Sequence, residues 1–308
     1  MIPLFILQAA VRKPLHRTGI FLAIVAFHFF SPDLEARTFH VGTIGTVPSQ
    51  EMNKLKPLVP YLEKELSSAG IDRVKIVVAK SISQMATLLQ KKGVDLYLDS
   101  PYPSMAVSRL AKSRLLLQAG KEGSDRHYSV IFVRKDSGLN HLRQLKGETI
   151  AFEEPFSTFG YGLPKMLMRE KGYLMRSKQA SSDPVAAQEV GYVFSRNDDN
   201  TLLWVQKGKV KAGAVDQVRY KGEEKNSPQI LKALEKTLPL PPLIAAVRMD
   251  IPLSLAQEVQ DILIKMDRTE GGKKVLQELQ DITRFEPITR KTRDWFIKAA
   301  ERLDLETR

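Results

Sequence analysis

The chain has no cysteine among its 308 residues. That excludes disulfides, thiolate metal sites and a cysteine nucleophile, and it removes any lipid-anchoring residue at the end of an export signal. Histidine is scarce too. Of five, His16 and His28 fall near the N-terminus, while His40, His127 and His141 stand alone, with no His-x-x-x-His or His/Glu pairing for a metal. Neither a Gly-x-Ser-x-Gly elbow nor a Gly-Lys-Ser phosphate loop occurs. Carboxylates such as Glu153-Glu154 do not make an acid/base pair without cleft geometry. No enzymatic activity, cofactor or metal is expected.

Long apolar runs are also missing. Ile20 to Phe30 is an apolar stretch well short of the ~20 residues that span a bilayer. It follows the basic residues Arg12, Lys13 and Arg17, is broken by Ser31-Pro32, and leads to Ala36 as a candidate last residue before cleavage. Residues 1–36 therefore read as an export signal, or as a retained N-terminal anchor given the apolar Ile2 to Val11 ahead of the basic cluster. Cleavage would leave 308 − 36 = 272 residues, enough for two domains of roughly 100–150 residues each. The expected compartment is the periplasm.

Acidic residues are in deficit, with a net charge of +12. Lys and Arg are nevertheless interleaved with Asp and Glu along most of the chain, the pattern of a solvated surface rather than of a basic nucleic-acid face. Nucleic acid is not an expected partner. A positive field that attracts small anions is.

What the sequence does contain is alternation of strand and helix. Thr38–Gly45, Val74–Ala79 and Asp95–Asp99 read as strands, separated by helical spacing at Leu55, Leu58, Val59, Leu62 and Leu66 and by a helix capped at Ser83. A second run follows: His127–Arg134, Gly147–Phe152, Val190–Ser195 and Val210–Asp216 as strands, with Asn197 or Asp198 capping a helix between the last two. Each half has a helix, a Lys-Gly stop, a short strand and an acid at the strand end, so Asp99 and Asp216 hold matching places. Ile230 to Thr237 suits either helix or strand. Beyond Ser254 three helical segments and no sheet are expected. This is an α/β chain.

One stretch organises the rest. Glu153-Glu154-Pro155-Phe156-Ser157-Thr158-Phe159-Gly160-Tyr161-Gly162-Leu163-Pro164 carries a strand into a helix through two hydroxyls and two glycines. Ser157 is a natural N-cap, and the unpaired N–H groups and dipole of a helix start can hold an anion. An ordinary capped helix explains the same residues.

The order of Pro57-Leu58 with Tyr61-Leu62-Glu63, Lys92-Gly93-Val94-Asp95, Tyr128-Ser129-Val130, Leu145-Lys146-Gly147, Pro155 to Pro164, Gly208-Lys209-Val210 with Ala214-Val215-Asp216, and Gly272 to Leu276 resembles the phosphate/phosphite/phosphonate-type substrate-binding proteins of ABC importers. The resemblance covers about Thr38 to Phe285. It implies the two-lobe periplasmic-binding-protein architecture, with a ligand cleft between lobes and two hinge crossings, about His127–Arg134 and Leu240–Arg248. Lobe one would be 37–129 plus 243–308, and lobe two 130–242. It also implies a monomer that captures a small oxyanion and delivers it to a membrane permease. A sensor of the same fold, reporting to a membrane receptor or kinase, is the alternative.

By the same resemblance, the phosphonate group would sit on a Ser-Thr-Ser loop, here Ser157-Thr158 with Phe159 replacing the third hydroxyl. Gly160 allows close approach, and Tyr128 would line the site. Asp216 matches an acid that in some relatives faces a ligand ammonium, against a plain helix-capping role. The family's Gly-Pro-x-x-Tyr loop reads Ser100-Pro101-Tyr102-Pro103-Ser104 here, so the aromatic, Tyr102, is displaced. Where the family has Ser-x-His this chain has Ser195-Arg196-Asn197, and Arg196 could pair with an anion bidentately or stand as a surface residue. Thr46, in the loop after the first strand, completes the candidate ligand-binding set.

Overall fold

The computed structural model describes residues 37–120, 127–279 and 282–302. The expected export segment lies outside them. The chain begins β1 (Arg37–Ile44), α1 (Pro48–Leu55), α2 (Leu58–Glu65), β2 (Ile71–Ala79), α3 (Ile82–Gln90), β3 (Leu96–Asp99), α4 (Pro101–Ala111) and β4 (Arg114–Gly120). It then builds a second unit from β5 (Ser129–Arg134), β6 (Thr149–Phe152), α5 (Leu163–Glu170), β7 (Leu174–Ser177), β8 (Glu189–Phe194), α6 (Asp198–Gln206), β9 (Ala212–Asp216), α7 (Gln217–Asn226) and β10 (Leu231–Lys236). It returns as β11 (Ile244–Val247), α8 (Leu253–Lys265), α9 (Glu270–Glu278), β12 (Arg284–Pro287) and α10 (Arg290–Arg302).

Two six-stranded sheets result, in the orders β12-β4-β11-β3-β1-β2 and β10-β5-β9-β6-β8-β7. β1 runs parallel to β2 and β3, and β6 runs parallel to β8 and β9, so the C-terminal ends of these strands, with their loops, share one edge of each sheet. Ligands of open α/β sheets bind at such edges. The architecture is α/β with two lobes and two crossings, as the sequence implies.

The crossings are shorter than the expected ranges. β5 and β11 lie wholly within their sheets, and the chain passes between sheets just before the one and just before the other. There the two segments pair: His127 and Leu240 exchange N–H···O bonds of 2.8 Å in both directions.

Several local expectations change. Ser81, not Ser83, caps α3, its hydroxyl accepting from the Gln84 N–H at 3.2 Å. Asn197 rather than Asp198 caps α6. The ambiguous stretch at 230–237 is strand β10, drawn out by antiparallel pairing with β5. The C-terminal part does contribute a strand: β12 pairs antiparallel with β4 at the edge of the first sheet.

Burial follows the periodicity. Leu58, Leu62 and Leu66 pack with Ile71, Val74 and Val259 in the first lobe, and Val130, Phe132, Val205 and Val215 pack in the second. Fully burying each such side chain is worth about 1.5–3 kcal/mol. A third cluster belongs to both lobes. It joins Tyr102 and Met105 of α4 to Phe159, Tyr161 and Met166 around α5, with Trp295 and Phe296 of α10.

Candidate functional site

The ends of β1 and β3 in one lobe meet the loop after β6 in the other around a cavity of about 170 Å³. Larger hollows of about 460 Å³ (beside α2 and α8) and 610 Å³ (beside α10) lie elsewhere. The cleft cavity differs from both in drawing Asp99 and Ser100 from one lobe and Glu153 and Ser157 from the other, at the strand ends. Drug-sized ligands occupy roughly 300–1,000 Å³, so this space suits a solute of few heavy atoms.

The turn after β6 is built from its own residues. Ser157 caps it, its Oγ accepting from the Gly160 N–H at 2.9 Å, and Thr158–Gly162 makes a wide π-type turn that runs into α5. Behind it Lys165 is buried, donating to the Tyr161 and Tyr192 hydroxyls at 2.5 and 3.1 Å with both ring centroids 4.8 Å away. A buried ammonium held by two hydroxyls and two π-faces fixes the turn from below.

Thr158 faces the other lobe. Its hydroxyl donates to Ser100 Oγ and accepts from the Tyr102 N–H, each at 2.8 Å. The first turn of α4 receives no side-chain cap from Ser100, so a residue of lobe two supplies it. Gly162 allows this approach: a Cβ there would stand 2.6 Å from Tyr102 Cγ. Tyr102 and Tyr161 meet edge to face at 6.0 Å, and the Phe159 ring lies 5.6 Å from the His127 imidazole.

Carboxylates converge on the cleft, and sequence reasoning missed most of them. Asp99 accepts from the Ile44 and Ser100 N–H groups at 3.0 and 2.7 Å and from the Tyr97 hydroxyl at 3.1 Å, yet burial pushes it up to about 6. Glu153 lies against Gly160: a Cβ on that glycine would be 2.7 Å from Glu153 Oε2. Burial raises Glu153, opposed by a hydrogen bond from Ser157 and by the charge of Lys54. Asp198 is pushed up to about 8, first by burial and then by Glu153 and Asp216; its Oδ1 is buried without a hydrogen-bond partner. Lys54 stands in the same cleft but pairs with Glu51 at 2.9 Å. The matched positions of Asp99 and Asp216 were the one available signal.

Other expected residues lie around this centre. Asp216 caps α7, accepting from the Val218 N–H at 2.7 Å, and its other oxygen meets His127 Nδ1 at 2.9 Å. Thr46 donates to Glu154 Oε1 at 3.2 Å across the lobes, while Arg196 pairs with Glu154 Oε2 at 3.6 Å. Arg196 is itself exposed and held in the left-handed region at φ 83°. Tyr128 packs on the lobe-two core, its ring 5.7 Å from Lys236 Nζ, and does not line the cavity. Among the described residues no group of three acids or histidines could hold a metal ion.

Residues 41–292 match the family described as the periplasmic substrate-binding protein of phosphonate ABC transporters. The chain belongs to this family. The family is one of solute-binding proteins of ABC transport rather than of enzymes. Among solved structures, XAC2383 from Xanthomonas citri, bound to chloride ion in one structure and to ATP in another, superposes on this binding protein with TM-scores of 0.81 and 0.80. Both alignments are 24% identical and cover 86% of this chain and 96% of the other. PhnD1 from Prochlorococcus marinus, in complex with methylphosphonate, gives a TM-score of 0.66 at 18% identity, covering 88% of this chain and 99% of that one. At these identities the likenesses speak for the fold.

Proposed function

We propose that this chain is the periplasmic receptor of an ABC importer, closing on a small oxyanion of phosphonate or phosphate type between its lobes and delivering it to the membrane permease. The observation that carries the reading is the cavity at the β3 and β6 ends, walled by both lobes and small enough to enclose only a compact solute. Residues 130–242 form the moving lobe in this proposal. Support for the anion comes from the matched family, from the methylphosphonate named for one structural neighbour, and from the backbone N–H groups of the turn that begins at Ser157.

A melt screen followed by calorimetry tests it, with phosphate, phosphite, alkylphosphonates, sulfonates and carboxylates. Stabilisation by one of these classes, with one-to-one stoichiometry, is expected. A protein whose melting temperature moves with none of them is not an oxyanion receptor.

A further inference from the structure

The oxyanion's place in the turn is not vacant chemistry. A serine or threonine hydroxyl has one proton to give. Ser157 Oγ accepts from the Gly160 N–H and lies beside the Glu153 carboxylate over that glycine, both side chains lining the cleft cavity. Thr158 gives its proton to Ser100 Oγ. The residue that would have offered a third hydroxyl is Phe159, whose ring packs beside His127. The Thr158 hydroxyl therefore has no proton for a ligand while that bond stands, and the Ser157 hydroxyl lies next to a carboxylate that competes for its proton. The Glu153 carboxylate meanwhile sits over Gly160, in the space that a side chain at that position would fill.

We propose that Glu153 is the residue that determines how this cleft accepts an anion: its carboxylate is an internal anion at the turn, and a solute oxyanion is held there only with a proton taken up by Glu153. The inference rests on the oxyanion reading above and adds the condition under which it operates. Protonation changes the site twice. It removes a like charge that a second anion would meet in a desolvated place. It also turns Glu153 from an acceptor into a donor and removes the carboxylate that competes for the Ser157 proton, so both side chains can donate to the oxyanion.

The surrounding charges favour that proton. Glu51 on α1, Asp99 at the end of β3, Glu154 next in the chain, Asp198 at the start of α6 and Asp216 at the end of β9 all stand around Glu153 as acids. Opposing them, Lys54 is paired to Glu51, Arg196 is paired to Glu154, Arg219 acts on Asp198, and His127 is paired to Asp216. The bases are thus each paired with an acid other than Glu153, and only the charge of Lys54 also reaches it.

The test is calorimetric titration of methylphosphonate into the wild-type protein and Glu153→Gln at pH 5.5 and pH 8. Buffers of different ionisation enthalpy report proton uptake, and methanesulfonate, which keeps one charge throughout, separates the protein's titration from the ligand's. Wild type is expected to bind at least about tenfold more tightly at pH 5.5 than at pH 8, a factor worth one unit of linked pKa. Glu153→Gln is expected to bind at least about tenfold more tightly than wild type at pH 8 and to lose the protein's share of the uptake. Glu153→Ala, which cannot rebuild the amide contacts of Gln, should do the same. Equal affinity and equal proton uptake in wild type and both variants overturns the proposal and leaves the oxyanion reading intact. Absence of binding in all three proteins at both pH values overturns the oxyanion reading itself. Binding by the variants alone upholds Glu153 as the excluding group.

Discussion

The two walls of the cleft are made the same way and finished differently. Each runs from a buried strand into an acid, a serine and a helix: Asp99-Ser100 into α4, and Glu153 through Ser157 into the turn before α5. On the lobe-one wall the acid collects two backbone N–H groups and a tyrosine hydroxyl, while the helix start lacks its own cap. On the lobe-two wall the serine caps its own turn, and the acid lies beside that serine over Gly160. The unequal walls fit one another because Thr158 fills what α4 lacks. The contact between the walls is thus one wall completing the other.

The most severe way to break that relation is at Gly162. Gly162→Val would place side-chain atoms within the Tyr102 ring, and overpacking of this kind costs about 3 kcal/mol, roughly a hundredfold in affinity for a ligand that needs the closed form. Small-angle scattering should show a larger radius of gyration with ligand present; an unchanged radius would mean the lobes close without this contact.

Next comes pH. Asp99 and Asp198 have ordinary values of 3.8 and rise to about 6 and about 8 in the folded protein. Between the ordinary and the raised value the folded state keeps a proton that the unfolded chain has released. Stability therefore falls as pH rises, from about 4 to 6 through Asp99 and on to about 8 through Asp198. The melting temperature should be lower at pH 8 than at pH 5, and Asp198→Asn should flatten the curve above pH 6. A temperature that climbs from pH 6 to 8 would contradict the burial of these acids.

Thr158→Val tests the shared cap directly. It removes the hydroxyl that bonds the Tyr102 N–H and Ser100 Oγ, a loss of about 1–3 kcal/mol. Urea denaturation should show a lower midpoint with the slope unchanged; a midpoint equal to wild type would move the bond to water. The smallest effect belongs to the rim. Arg196→Gly relieves a left-handed non-glycine residue, worth about 1–2 kcal/mol, and loses an exposed ion pair worth about 0–1 kcal/mol. A small net gain in stability is expected, whereas Arg196→Ala should give a small loss.

How much of this the sequence disclosed depended on distance along the chain. The strands β1, β2, β3, β6, β8 and β9 are apolar runs ended by turn residues, so local pattern finds them. β7, Leu-Met-Arg-Ser, and β12, Arg-Phe-Glu-Pro, are short edge strands with little alternation, and only their neighbours make them strands. The cap at Ser157 is local and legible. The partners of Thr158 lie 56 and 58 residues away; Glu153, Asp198 and Asp216 meet because the neighbouring strands β6, β8 and β9 end at one sheet edge, and Asp99 joins Glu153 from the other sheet. Nothing in the sequence neighbours of Glu153 says that Gly160 folds beneath it.

The cluster around α10 gives the molecule a built-in optical reporter. Of two tryptophans, Trp204 lies in lobe two under Lys209 Nζ, 3.4 Å from its ring. Trp295 instead belongs to the cluster that holds Met166 of the opposite lobe, and lines a hollow with it and with Leu238 of the crossing. Opening the lobes changes the surroundings of one indole and leaves the other as an internal reference. The emission of the unlabelled protein should therefore follow capture and release in real time.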